Sequence, residues 1–392
     1  MSYTLLLILY IFFGRYLFSF TNLTIAIYVP VVVTIFAYLL NRIYHFGEKR
    51  QFKYENRIIA CVIIETVILL ILHQFDKVSS LYCGFLSSAL LFIIIQSNIN
   101  IKMVRRLSLI FLLIYVFNLL IAYYERMSLQ NLFYDANRVF WDEDYYNVGL
   151  DYIFRSTGLL GHPLNNAYAT GLMMCTILLL NLKVFYKYAL WFMGLIGLFC
   201  FNARGAILVS ITMLGIYILY KLSSKFSFKH IILSVVVISA FIYIMNSILA
   251  SSLAGRLVVG EIMDGSAQTR LQIWEPILYA NFGELMFGYS PHRYEQVALS
   301  IGLHTAENWL AIFIYKIGVP MTAIILYSFF RVYKNSISYA PKFDRFFMAI
   351  AFIGFASLNN SLAISSFPWL IAYLLFVIVN GQRFINSKTF MK

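Results

Sequence analysis

The sequence predicts an all-α, polytopic integral membrane protein, and three observations predict it. The chain is 61% hydrophobic and only 12% charged, outside the range of ordinary soluble domains. Apolar runs near the length of a membrane-crossing helix, about 20 residues, recur from end to end. The Lys and Arg residues between those runs are dense in every second connection and sparse in the others.

Taken in order, the runs give about twelve transmembrane helices by the length criterion, roughly 3–20, 22–40, 58–75, 81–96, 107–123, 164–181, 188–201, 206–220, 231–250, 306–330, 346–358 and 366–380. The first is not a cleavable signal peptide, because Arg15 lies inside it and no small-residue cleavage site follows. Residues 1–392 are therefore expected to form a single membrane domain. Two larger loops, 124–163 and 251–305, interrupt it.

The net charge of +13 raises nucleic-acid binding as a function, and the distribution of charge argues against it. Connections 41–57, 97–106, 182–187, 221–230, 331–345 and 381–392 hold about twenty Lys and Arg against Glu48, Glu55 and Asp344. The opposite set holds about eight basic and thirteen acidic residues. The excess is thus a topology signal: both termini are expected in the cytoplasm, and loops 124–163 and 251–305 are expected to face outward. Cys61, Cys83, Cys175 and Cys200 all fall within expected spans, so a disulfide framework is not expected, and no Cys/His spacing suits zinc. No Gly-Lys-Ser/Thr sequence of the Walker type suggests ATP hydrolysis.

Three helix starts on the expected outer side carry cationic residues. Arg155-Ser156-Thr157-Gly158-Leu159-Leu160-Gly161-His162-Pro163 ends the first large loop; glycine permits close backbone approach and proline suits a first helical turn, which would leave amides pointing outward. Asn202-Ala203-Arg204-Gly205 joins two apolar stretches so tightly that Arg204 lies at or below the membrane surface, where it snorkels to lipid phosphate or meets an anion in a cavity. His304, Glu307 and Asn308 head a further span and would share a face if helical. A histidine with a carboxylate at that spacing suits general-base work, and a helix cap with a polar turn is the plainer alternative. Together, cationic side chains and helix N-termini at one boundary suit a polyanion, with a lipid-linked diphosphate the natural candidate.

The remaining loop features are less specific. Phe140-Trp141-Asp142-Glu143-Asp144-Tyr145-Tyr146 suits sugar rings, though an interfacial aromatic belt beside a solvated acidic stretch is the plainer reading. In 269–278, Trp274 and Leu278 are four apart with Ile273 and Ile277 beside them, which predicts an amphipathic helix lying flat on the bilayer with Arg270 at its start. Lys316 is a further polar residue inside a span, and Glu65 is the only acid well inside one.

These residues resemble the O-antigen ligase and O-antigen polymerase superfamily of bacterial membrane glycosyltransferases, over most of the chain and most strongly over about 150–325. The stretch Arg155 to Asn166 is similar to that family's Arg-x-x-Gly before a Pro-Asn helix entry. Asn202-Ala203-Arg204-Gly205 is similar to its Ser-Arg-Gly hairpin. Arg270, Trp274 and Gly288-Tyr289-Ser290 are similar to its Arg, Trp and Gly-x-Gly in the large outer loop. Glu307-Asn308 followed by Gly318 keeps the spacing of its His-Asn and later Gly. Two departures stand out: Glu307 occupies the histidine position with His304 three residues earlier, and glycines are lost, Gly-x-x-Gly becoming Gly318-Val319-Pro320-Met321 and the outer-loop Gly-x-Gly becoming Gly288-Tyr289-Ser290.

The resemblance implies transfer of an undecaprenyl-diphosphate-linked oligosaccharide, at the outer face of the bacterial cytoplasmic membrane, without metal, ATP or another cofactor. Arg204 and Arg270, with Arg155 as a third candidate, would clamp the diphosphate. Glu307 or His304 would take the proton from the attacking hydroxyl, with Glu307 favoured. Gly158, Gly161, His162, Pro163, Asn166, Trp274 and Asn308 would support the site. Membrane lipid, flippases and chain-length regulator proteins are the implied partners. Loss of the ligase-type histidine favours polymerase over ligase. A lipid-linked oligosaccharide flippase would instead need cations reaching mid-membrane and related halves, and no internal repeat is visible. A non-catalytic assembly partner would tolerate loss of Arg204 or Arg270.

Overall fold

The structure, a computed structural model, describes residues 29–44, 53–71, 82–98, 100–132, 154–224, 272–303, 308–358 and 367–389, with Leu362 and isolated positions between 236 and 247. The described residues are helical, and no strand occurs among them. In chain order the helices are α1 (Val29–Tyr44), α2 (Lys53–Ile71), a π-helical turn (Tyr82–Leu86) leading into α3 (Ser87–Asn98), α4 (Ile101–Ser128), α5 (Pro163–Leu179), α6 (Val184–Cys200) and α7 (Arg204–Ser224). A 3₁₀ turn (Glu275–Tyr279), α8 (Phe282–Phe287), α9 (Pro291–Ser300), α10 (Trp309–Ser336), α11 (Lys342–Ala356) and α12 (Phe367–Thr389) follow. The spans expected at 3–20 and most of 231–250 lie outside the described residues.

Among the described residues, α4, α7 and α10 are long and apolar enough to cross a membrane, and shorter apolar helices accompany them. Helix α4 shows why the protein belongs in a bilayer. Leu109, Leu113, Phe117, Leu120, Tyr124 and Met127 recur at helical spacing and are exposed, whereas Asn118 and Glu125 on the opposite face are buried. Leucine outside with asparagine and glutamate inside reverses the soluble pattern, and hydrocarbon is the solvent that stabilises it.

The chain resolves into two compact units, each built from separated segments, where the sequence reads as one membrane domain. In the first, comprising 1–107, 265–339 and 359–381, α12 is buried on every side from Trp369 to Val379, so its uniformly apolar sequence fits a central position. Trp369 stacks on Phe329 at 4.2 Å, meets Trp309 edge-on at 5.8 Å and donates its indole N–H to the Leu362 carbonyl at 2.8 Å. Asn41 of α1 donates to the Ser97 hydroxyl of α3 at 3.0 Å, a buried polar tie between two apolar helices.

In the second unit, 108–264, 340–358 and 382–392, α5 is the central helix, packed by α6, α7 and α11. Its neighbours come close because small residues let them: a Cβ on Gly171 would meet the Phe355 ring, and one on Gly194 would meet Met174 and the Tyr115 hydroxyl. That hydroxyl donates to the Leu190 carbonyl at 2.9 Å and ties α4 to α6. Cys175 and Cys200 are buried free thiols in this unit, as Cys61 is in the first.

Helix α10 is not continuous. Gly318 has φ 76° and ψ 170°, so its backbone leaves the helix, and Pro320 follows without a donor N–H. The break is filled by the end of α8. A Cβ on Gly318 would lie 2.2 Å from the Met286 carbonyl oxygen; one on Gly288, itself at φ 79°, would lie 2.6 Å from the Lys316 carbonyl carbon. The Tyr289 N–H then donates to the Tyr315 carbonyl at 2.7 Å. Gly318→Ala and Gly288→Ala are each expected to lower the unfolding temperature in detergent, since left-handed backbone alone costs about 1–2 kcal/mol for a residue with a Cβ. Gly215→Ala, where a Cβ meets nothing within 4 Å, should leave it unchanged or raised.

Candidate functional site

The segment 154–162, which precedes α5, is non-helical yet buried through Leu159. In an apolar setting each of its amides needs a partner, and α4 supplies most of them. The Glu125 carboxylate, 0% exposed, accepts from the Thr157 N–H at 2.8 Å, the Gly158 N–H at 2.9 Å, the Leu132 N–H at 2.9 Å and the Thr157 hydroxyl at 3.3 Å. Asn118 accepts from the Leu159 N–H at 2.8 Å. The Ser156 hydroxyl donates to the Ala122 carbonyl at 2.7 Å, and Arg126 donates to the Phe154 carbonyl at 2.6 Å.

From the other side, Asn166 of α5 closes the loop. Its side-chain N–H groups donate to the Thr157 and His162 carbonyls, and its oxygen accepts from the Leu160 N–H at 3.3 Å. Gly158 and Gly161, at φ 51° and 61°, form the turn that permits this, with the Gly161 N–H donating to the Gly158 carbonyl at 3.2 Å. His162 stands at the N-cap position of α5 with extended backbone, and the buried Pro163 opens the helix. The amides of Thr157, Gly158, Leu159, Leu160 and Gly161 thus all have partners inside the protein.

Arg155 joins this loop to the α6–α7 hairpin. It is 6% exposed and its Nε–H donates to the Phe201 carbonyl at 3.2 Å, while the Ser156 N–H donates to the Cys200 carbonyl at 3.0 Å. The hairpin itself is tight: Asn202 sits at φ 51°, its N–H donates to the Phe199 carbonyl at 2.8 Å, and α7 begins at Arg204. Arg204 is partly exposed, three residues from the carbonyl that Arg155 holds. Two motifs separated by about forty residues thus form one structure, with Arg155 inside it and Arg204 at its margin.

The first unit holds the other candidates. Arg270, His304 and Glu307 lie outside the described residues. Asn308 does not sit on a helical face. Its backbone is extended, its side-chain oxygen accepts from the Leu310 and Ala311 N–H groups at 3.0 and 3.3 Å, and α10 starts after it. The helical face expected to be shared by His304, Glu307 and Asn308 is therefore corrected at Asn308, which is an N-cap.

The expected amphipathic helix over 269–278 is likewise corrected where it is described. Gln272 is α-helical, Ile273 and Trp274 form a turn, and Pro276 sits in the first turn of a 3₁₀ segment that α8 and α9 follow. Ile273 turns inward and Ile277 is partly buried, whereas Trp274 and Leu278 are exposed. Ile273 packs with Tyr289, Val297, Ala298 and Leu303 against Ala311 and Tyr315 of α10. The Tyr315 hydroxyl donates to the Ile273 carbonyl, and the Tyr289 hydroxyl to the Pro276 carbonyl. Burial pushes the Tyr294 hydroxyl up to about 12; burial and then the Glu284 charge raise that of Tyr289, so both phenols keep their protons at neutral pH.

No family model matches the chain, and no curated protein is significantly similar to it.

Asn118, Glu125, Arg126 and Ser156 are the site residues that sequence reasoning missed. Ending the span at 123 left Glu125 among loop acids, although Asn118, Ala122 and Glu125 follow i, i+4, i+7 spacing in an apolar run. Glu125→Ala would strand the buried Gly158 amide and leave the Thr157 amide only its longer bond to Asn131 at 3.3 Å, at about 1–3 kcal/mol for each unmade bond. The expected outcome is lower folded yield with faster amide exchange over 154–162, while Tyr124→Ala on the exposed face leaves both near wild type.

Proposed function

We propose that this chain is a metal-independent glycosyltransferase of the polysaccharide-polymerase type, joining polyprenyl-diphosphate-linked oligosaccharide units at the outer face of a bacterial cytoplasmic membrane. The proposal includes about twelve spans with both termini in the cytoplasm, by the distribution of Lys and Arg. The observation that carries it is the pairing of four weak motifs. The Arg155 loop meets the Arg204 hairpin through the bond to Phe201, and Gly288 of the outer loop meets the break at Gly318. Each pair lies far apart in sequence, and a chance motif match gives no reason for such contact.

The second pairing also accounts for the glycines of the family pattern that this chain lacks. Gly288 and Gly318 are the glycines retained, and both have left-handed backbone against a neighbouring main chain. Ser290 stands where a second glycine is expected and caps α9 by accepting from the Arg293 N–H at 3.3 Å; Met321 continues α10. Neither position needs glycine.

In this reading Arg204, at the head of α7, and Arg270 bind the diphosphate and offset the charge that builds on the leaving group. Arg155 braces the hairpin from within and does not touch substrate. Glu307, with His304 orienting or sharing the proton, takes it from the attacking sugar hydroxyl as that oxygen bonds to the anomeric carbon and the lipid diphosphate departs. Flippase and chain-length regulator proteins would supply and limit the substrate.

The test is complementation of a strain whose surface polymer depends on this chain. Arg204→Ala and Arg270→Ala are each expected to lower polymerisation on the order of 100-fold at normal protein abundance, with single repeat units accumulating. Normal chain-length ladders from both variants overturn the proposal. Long polymer left unattached to its lipid acceptor would identify a ligase instead. An active Glu307→Ala beside an inactive His304→Ala would transfer the base role to His304.

A further inference from the structure

Residues 272–303 lie along one side of α10, and their surface is divided by polarity. The inner side is the cluster of Ile273, Tyr289, Val297, Ala298 and Leu303 over Ala311 and Tyr315. On the other side Trp274, Leu278, Tyr279, Phe282 and Phe287 are exposed, Leu278 at 82% and Phe282 at 80%. Within 274–287 the charged residues are Glu275 and Glu284, both partly buried. Glu284 is held by the Asn281 capping box and by Arg293 at 3.4 Å. Asn281 is the one exposed polar side chain among 274–287, whereas α9 exposes His292, Arg293, Glu295 and Gln296 alongside Leu299. An uncovered patch of this size and composition is not one that water tolerates cheaply.

The place where the patch joins α10 indicates what covers it. Residues 309–317, before the break, expose no large apolar side chain. After the break Val319, Ile324, Tyr327 and Phe330 form an exposed apolar stripe at helical spacing, the face a membrane span turns to lipid. That stripe begins one residue beyond Gly318, against which the backbone of Met286 and Phe287 rests. The patch on 274–287 and the lipid-facing stripe of α10 therefore adjoin at the same level of the helix.

We infer that 273–287 is a lipid-embedded shoulder, with Trp274, Leu278, Tyr279, Phe282 and Phe287 seated in the bilayer at the level of the α10 break. The partner is bilayer lipid at the boundary of acyl chains and headgroups. Trp and Tyr suit that boundary, since each presents an apolar ring and one polar group. The shoulder also explains how non-helical backbone at 288–290 and at Gly318 persists there: Tyr289 is buried beneath it and its amide is paired to Tyr315. Asn308 lies roughly 15 Å along α10 from Gly318, by the rise of an α-helix, so the head of that helix clears the shoulder toward water. The inference rests on α10 spanning the membrane and is independent of the transferase chemistry.

Spin labels on the full chain in phospholipid nanodiscs test it, with the native cysteines replaced by alanine. Labels at Leu278→Cys and Phe282→Cys are compared with Phe330→Cys as the lipid reference and Gln296→Cys as the water reference. Oxygen-to-nickel-chelate accessibility ratios at 278 and 282 should match that at 330 and exceed that at 296 several-fold. Nickel accessibility like that at 296, or inaccessibility to both reagents through a protein partner or a second copy, overturns the inference. A cysteine-independent measurement uses the unaltered protein with a lipid carrying a photoreactive acyl chain. Adducts should map to 273–287 and not to the exposed face of α9, and the reverse pattern overturns the inference.

Discussion

Backbone amides that leave a helix inside an apolar medium must find acceptors within the protein, and that constraint shapes both irregular regions described here. At 154–162 the acceptors are side chains, the carboxylate of Glu125 and the amides of Asn118 and Asn166. At the α10 break the acceptor is a main-chain carbonyl, Tyr315, brought within 2.7 Å of the Tyr289 amide because two glycines let the chains touch. The two solutions differ for a physical reason. A loop that turns twice can reach side chains on several helices, whereas a single interrupted turn needs another backbone pressed into it.

The apolar, helical character was legible in the sequence because hydrocarbon imposes a coarse requirement, a run of apolar residues of fixed length. The expected spans at 107–123, 206–220 and 306–330 correspond to α4, α7 and α10, and each of these helices runs past the end expected from hydropathy. The overrun conceals information. Glu125 and Arg126 lie in the last turn of α4, past the point where hydropathy ends the span, yet they are among its most buried residues. Hydropathy weighs composition along the chain, whereas burial is decided by which face meets a neighbouring helix.

The candidate site was legible as residue types and not as geometry. Arg155, the third candidate, and Arg204 both read as cations at helix starts, but one lies inside the protein against a carbonyl and the other at the edge of the hairpin. Nothing local distinguishes them; the difference comes from α4, whose Ala122, Glu125 and Arg126 draw the loop inward. Asn308 was similarly ambiguous between a face and a cap. The start of α10 at Trp309 decides for the cap, because the Asn308 oxygen is then the acceptor for two first-turn amides.

The two irregular regions also differ in how a change nearby would reach the proposed site. The loop at 154–162 is tied by several bonds from α4, α5 and the α6–α7 hairpin, so removing one partner leaves the others holding Arg155 and the hairpin in register. The α10 break depends on one close backbone approach, which glycine alone permits. That difference bears on substrate variation. Under the proposed function, polar side chains on α9 could change to suit a different sugar while Gly288 and Gly318 keep the segment seated on α10, whereas a change at either glycine would displace the segment as a whole. Under the proposed function, recognition of the sugar and positioning of the loop would fall to different residues.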